Sequence, residues 1–388
     1  MAKNVLRILC FLPFALLLGS CVNDDDGVDR DCGEVRGDEL VLNYTVNNGP
    51  SLSRTRGALT EDGWGDWNEN LVTRLDLFVV RGGAVVYKFA KSGLSESAEY
   101  SEQHTGISVG NLKAGDVLYL VANAPTGLNG KTTLADLQAV TLTGLKPASR
   151  QASFLMDGSY TLTTDDLSKG GNLTKTIPLS RAAAKVVIGF GSNSSVTDWT
   201  NVTYKYVNFA TNSFVLSGKE GLQDDVTNND FVDKTLASSE AFTAPGDQLR
   251  DNQLVLYLYP EFWFNAKVTK NKTGGTYNIA DIGKEEPFDP SKQPYVLLKA
   301  KWTDGNYYVY KVPLNYLLPL NVDQASFTES DVNDIKKLYL IQRNSLYRIT
   351  VTIDRTGGVP EGDDSKGVTI PYVVEQFDGG HGGDVEME

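Results

Sequence analysis

Between Leu40 and Glu375 the chain is written in short runs of Val, Ile, Leu, Tyr, Phe and Thr, many of them alternating with polar residues and each bounded by Gly, Asn, Asp or Pro. A period of two puts successive side chains on opposite faces of a pleated strand, so the pattern commits the chain to β-structure. The runs predict strands at Leu40–Val46, Thr73–Val80, Ala84–Phe89, Val117–Ala122, Thr174–Leu179, Lys185–Phe190, Val202–Phe209, Phe214–Leu216, Gln253–Tyr259, Tyr295–Trp302, Tyr307–Pro313, Leu346–Ile353 and Val368–Glu375. Helical pattern is confined to Leu134–Val140 and Ser330–Lys337, and neither has the look of a βαβ crossover. Many short strands between turns predict an all-β chain built of sandwiches. At 388 residues, 41% hydrophobic, two domains are expected rather than one. Ser159–Asn172 is rich in Thr, Ser, Asp and Gly and Ala182–Phe190 opens a fresh apolar run, so the boundary is placed near Arg181, giving domains at 38–180 and 181–388.

The N-terminus reads as a targeting segment. Lys3 and Arg7 precede the apolar stretch Ile8–Leu18, which is too short to span a bilayer as a permanent helix and fits a secretory signal. It ends in Leu18-Gly19-Ser20-Cys21, which resembles a lipobox. That resemblance implies cleavage between Ser20 and Cys21 and a diacylglycerol on the Cys21 thiol. Residues 1–20 are then a signal peptide and 21–37 a solvated tether carrying Asp24, Asp25, Asp26, Asp29 and Asp31. An acidic cluster so placed also resembles the signal that sends lipoproteins of the Bacteroidetes to the outer face of the outer membrane. With Cys10 removed and Cys21 lipidated, Cys32 is the last thiol and no intramolecular disulfide can form.

Charge and motifs remove most chemistry. The formal charge is -13, and loss of Lys3 and Arg7 takes it to -15, the wrong sign for holding nucleic acid through its phosphates. Gly130-Lys131-Thr132 resembles the end of a phosphate loop, but Pro125 stands where the loop's first glycine belongs. Gly189-Phe190-Gly191 is followed by Ser194 in place of the third glycine of a dinucleotide fingerprint. Around Gly27 the acidic residues lack the spacing of a calcium loop. His104 and His381 are the only imidazoles, both in polar or glycine-rich stretches that read as exposed loops, which leaves a serine triad without its base. The expectation is a protein that is not an enzyme and uses no cofactor or metal. Trp64, Trp67, Trp263, Tyr257 and Tyr259 could stack on sugars, although in sandwiches such residues more often anchor cores.

Several segments, in order, resemble the fimbrillin (type V pilin) superfamily of the Bacteroidetes. They are the lipobox at Cys21, the first strand Leu40–Tyr44, the segment Glu69–Val79, the strand end Leu118–Ala124, the short motif Phe154–Met156, the junction Ile177–Val186 and the late motif Arg343–Ile349. The resemblance implies two transthyretin-like β-sandwich domains in tandem and a major or minor fimbrial subunit that supports cell adhesion. It further implies that an arginine-specific protease removes the first strand at the cell surface, and that a C-terminal strand of a neighbouring subunit fills the groove. The sequence has matching parts. Leu40, Leu42, Tyr44 and Val46 form one apolar face, Arg54 and Arg56 follow in a Ser/Pro/Gly-rich stretch, and Val368, Ile370, Tyr372 and Val374 form another alternating face within the tail 367–388.

The partners so implied are other fimbrial subunits, self or accessory, the outer membrane through the lipid on Cys21, the protease, and a host or bacterial surface receptor. Cys32 shortly after the lipidated cysteine is similar to the lipid-retaining anchor subunits, which lack a donor tail; the tail here favours a shaft or accessory pilin, with the anchor as the alternative. A surface glycan-binding lipoprotein is the alternative from another class.

Overall fold

Strands form where the apolar alternation lies, and also where it does not. The computed structural model describes residues 38–46, 67–97, 103–125, 128–192, 194–217, 235–263, 269–270, 277–278, 292–301, 305–314, 340–353, 359–360 and 372–376. The main strands before the Arg181 junction are β1 (Glu39–Val46), β2 (Leu71–Arg81), β3 (Ala84–Ser97), β4 (Gln103–Ser108), β5 (Val117–Ala122), β6 (Thr141–Thr143), β7 (Met156–Thr161) and β8 (Leu173–Arg181). After it come β9 (Ala184–Phe190), β10 (Val202–Val207), β11 (Gln253–Leu258), β12 (Tyr295–Lys301), β13 (Tyr307–Pro313), β14 (Ser345–Val351) and β15 (Tyr372–Gln376). Two short helices, α1 (Leu134–Gln138) and α2 (Thr164–Leu167), complete the framework. The helix expected at Ser330–Lys337 lies outside the described residues.

The strands before the junction form one sheet in the order β3-β2-β5-β7-β8-β1-β4. Only Met156↔Arg181 and Asp157↔Ser180 join β7 to β8, and apolar side chains from both wings, among them Leu77 and Leu120 on one and Leu42 and Ile177 on the other, share one core. Ser159–Asn172, the polar stretch before the junction, holds the end of β7 and all of α2, whose first turn is closed by a reciprocal Thr163–Asp166 capping box.

After the junction, β11-β9-β14-β15 lie side by side with Leu249–Arg250 outside β11, and β10-β12-β13 form a second sheet with Val359–Pro360 outside β13. Val186, Ile188, Leu256 and Ile349 of the first sheet pack against Tyr204, Val296, Leu298, Tyr310 and Val312 of the second. The opposite face of the first sheet, including Val187, Val255, Tyr257 and Leu346, joins the core of the preceding strands. That double coverage explains why Ala184–Ile188 is buried at every position rather than at alternate ones. The halves are also tied by β6, which pairs with Asn212–Phe214. The result is an all-β protein of packed sheets, as the alternation predicts.

Candidate functional site

Strand β1 occupies a slot closed on both sides. It runs parallel to β8 through seven consecutive pairs, Leu40↔Leu173 to Val46↔Leu179, and antiparallel to β4 at Glu39↔Ser108, Val41↔His104 and Leu42↔Gln103. Leu40, Leu42, Tyr44 and Val46 point into the core and are all buried; so are Val41 and Asn43 on the other face. Burying four large apolar side chains is worth roughly 6–12 kcal/mol before chain entropy is subtracted. The start of the strand is pinned by polar contacts: Asn172 Oδ1 accepts from Glu39 N at 3.0 Å, Thr105 Oγ1 donates to Leu40 O at 2.7 Å, and Ser108 Oγ donates to Asp38 Oδ2 at 3.1 Å. Glu39 in turn accepts from Gly106 N and lies 3.2 Å from His104 Nδ1. His104 thus sits on a strand, not in a loop, beside Glu39 at the start of β1.

The other terminal strand is placed differently. Tyr372 and Val374 fall on β15, which pairs antiparallel with β14 from Ser345↔Gln376 to Ile349↔Tyr372 and forms the edge of its sheet. Val368 and Ile370 lie outside the described residues, as do Ser20, Cys21, Cys32, Arg54, Arg56 and Trp64. The sugar-stacking reading fails at four of its five positions: Trp67, Trp263, Tyr257 and Tyr259 are 1%, 2%, 0% and 5% exposed, so their rings are core anchors with no face open to a ligand. Among the described residues no group of three His, Cys, Asp or Glu side chains is arranged to hold a metal ion.

Sequence reasoning noticed the junction Ile177–Val186 as a motif but missed what its charged residues do. Lys185 projects from β9 on the face that Val187 and Tyr257 share with the first core, where its Nζ lies 3.0 Å from Glu69 Oε1. Tyr257 Oη donates to the same carboxylate. Arg181, wholly buried, donates from Nε to Glu69 O at 2.7 Å and from Nη2 to Asn70 Oδ1, while its backbone N donates to Asn344 Oδ1 at 3.0 Å. Nearby, Arg343 Nη2 lies 2.8 Å from Asp157 Oδ1, a close ion pair without hydrogen-bond alignment, and Asp157 Oδ2 accepts from Ser217 N at 2.8 Å. Burial pushes the Lys185 ammonium down to about 8 against the pull of Glu69, and burial raises the Tyr257 phenol well above its ordinary value. The signal available in the sequence was a cation set in the apolar run Ala182–Ile188, which a buried strand tolerates only with a partner.

Fold and slot together define a strand-sandwich protein whose first strand is enclosed between two neighbours of its own sheet. No family model and no curated protein matches the chain. Among solved structures, a candidate cell adhesion protein from Parabacteroides distasonis is similar at 13% identity and a TM-score of 0.52, over 92% of this chain and 100% of that one. The tip fimbrial protein Mfa3 from Porphyromonas gingivalis is similar at 13% identity and 0.45, over 87% of this chain and 99% of that one. A fimbrilin, FimA, from the same organism gives 14% identity and 0.44, over 87% of this chain and 98% of that one. The first of these establishes a shared fold.

Proposed function

We propose that this chain is a structural subunit of a surface fimbria, of the fimbrillin class, which polymerises by strand exchange and supports adhesion. One observation carries the reading: β1 is paired with β8 from Leu40 to Val46 and with β4 over Glu39–Leu42, and it is buried on both faces, so its departure would leave a strand-shaped apolar slot beside β8 and β4. An empty slot of that kind exposes two ladders of unpaired backbone groups and the cavity left by Leu40, Leu42, Tyr44 and Val46, and a strand of matching period closes it. Arg54 and Arg56 follow β1 directly and supply the cut; the alternating tail Val368, Ile370, Tyr372 and Val374 supplies the incoming strand. Cys21 is the lipidation site that carries the precursor to the outer membrane and the cell surface.

The test is the N-terminal residue of protein recovered from the cell surface, together with its mobility in SDS. A start at Thr55 or Gly57 with SDS-resistant ladders is the expected result. A start at Cys21 with no ladders would replace the shaft reading by the lipid-retaining anchor. Fatty-acid labelling lost in Cys21→Ser checks the lipid separately.

A further inference from the structure

On β12 the residues Val296, Leu298 and Ala300 face the core, so Tyr295, Leu297, Lys299 and Lys301 face away from it. On β13 the same alternation turns Tyr307, Val309 and Lys311 outward, and on β10 it turns out Thr203, Lys205 and Val207. The register makes these positions one surface: Lys205↔Leu297↔Lys311 form one row, Thr203↔Lys299↔Val309 the next, and Lys301↔Tyr307 the last. Leu297 and Val309 are buried in its floor, with Phe242, Tyr295 and Val207 packed around them. The rings and ammonium groups interleave: Lys299 Nζ is 4.6 Å from the Tyr307 ring centre and 5.5 Å from that of Phe242, Lys301 is 5.8 Å from Tyr307, and Lys311 is 4.3 Å from Tyr295.

This is a concentration of four cations on one sheet face of a protein whose formal charge is -13. Among the described residues Lys205, Lys301 and Lys311 form no ion pair with a carboxylate. Burial also lowers the Lys311 ammonium, with no counter-charge acting the other way. A partly desolvated cation such as Lys311 is costly to maintain without an anion, and an external anion relieves that cost. Tyr307, 41% exposed, is one of the largest apolar groups left open on the described surface.

We propose that this face binds a uronate-bearing polysaccharide. A sheet face, unlike a sheet edge, has its backbone groups already paired, so an acidic peptide would gain no ladder there. A pyranose uronate suits it better, since its C–H face lies on the Tyr307 ring while its carboxylate reaches the flanking ammonium groups. Lys205 and Lys311 stand two strand spacings apart, roughly 10 Å, and Lys299 and Lys301 two residues apart, roughly 7 Å, which suits a polymer that carries charge at regular intervals. The excess negative charge elsewhere repels anions generally, which confines binding to this face and makes it salt-sensitive. The inference stands apart from strand exchange and holds for shaft and anchor alike.

The experiment is binding of the full chain to immobilised alginate at low and high salt, with dextran, dextran sulfate and single-stranded DNA as comparisons. Alginate binding that weakens with salt, absence of dextran binding, and at least about tenfold weaker alginate binding in both Tyr307→Ala and Lys205→Gln/Lys301→Gln/Lys311→Gln are expected. These side chains lie outside the two main cores, and an unchanged melting temperature verifies that each variant is folded. No alginate binding at low salt overturns the proposal. Binding to dextran sulfate and DNA as tight as to alginate, unaffected by Tyr307→Ala, overturns it too, because that describes a generic cationic patch.

Discussion

At the residue scale, two positions show how little tolerance the sheet crossing has. A Cβ at Gly158 would lie 2.1 Å from Pro178 O and 3.0 Å from Ile177 Cγ2, and the nearer atom is backbone that cannot step aside. Gly158→Ala is expected to lower stability by about 1–3 kcal/mol, read as a reduced urea midpoint with unchanged slope. Asn123 holds φ at 56° and ends β5. Its Oδ1 accepts from Thr73 N and Oγ1 at 2.8 and 2.9 Å, and its Nδ2 donates to Leu71 O and Phe154 O, both at 2.7 Å. Asn123→Ala is expected to cost about 2–4 kcal/mol by calorimetry or denaturation, whereas Asn123→Gly, which keeps the backbone freedom but not the bonds, should fall between it and the natural protein. The motif Leu118–Ala124 is visible in the sequence, yet the reason for its asparagine is not, because three of its four partners come from β2 and one from the turn before β7.

At the element scale, the informative strand is β9. Its sequence promises a buried run, and the structure adds that Lys185 faces Glu69 and Tyr257 inside that run. Lys185→Met strands a buried carboxylate and is expected to destabilise by about 3–5 kcal/mol; Glu69→Gln/Lys185→Met removes both charges and should recover most of the loss. A double variant no more stable than the single one would mean that the pair acts through packing instead. The folded-state value of Lys185, about 8, lies below its ordinary 10.5, so between those values the unfolded chain binds the extra proton and stability rises with pH. The penalty is fully present below about 8. Tyr257, raised by burial, keeps its proton in this window and opposes only above about 10. Relative to the double variant, the natural protein should therefore gain about 1–3 kcal/mol between about pH 7 and about pH 10. Three of the strands numbered above escaped the sequence reading, and one of them, Thr141–Thr143, is three residues long and pairs with Asn212–Phe214. Gln103–Ser108 and Met156–Thr161 lack alternation, and they are strands because β1 and β5 offer them ladders. By contrast, Val117–Ala122 and Tyr307–Pro313 begin and end where the apolar pattern does.

At the scale of the whole molecule, the two ends of the chain have unequal standing: β1 is interior to its sheet and β15 lies at an edge. Removing an edge strand uncovers one ladder, while removing an interior strand also empties a core. Deleting 367–388 is accordingly expected to leave the fold intact by circular dichroism while abolishing SDS-resistant ladders; ladders that persist would deny the tail its role as donor. Arg54→Ala/Arg56→Ala should keep β1 attached and the protein monomeric by light scattering, and polymers formed by that variant would rule out release of β1 by cleavage at either arginine.

What the sequence determined by itself was the material: β-structure from its period of two and the apolar face of the first strand. Those properties are local, set by neighbours one and two positions away, and so they can be read along a line. The tertiary structure decided which strands are interior and which lie at an edge, where a buried lysine finds its carboxylate, and which aromatic rings remain open. Each of these depends on contacts between segments far apart in sequence, such as Lys185 with Glu69 and Leu40 with Leu173, and no local period encodes which distant segment arrives. Trp67 reads as a ligand platform in the sequence and is a core anchor in the fold, while Tyr307 reads as one more strand residue and is left exposed among lysines.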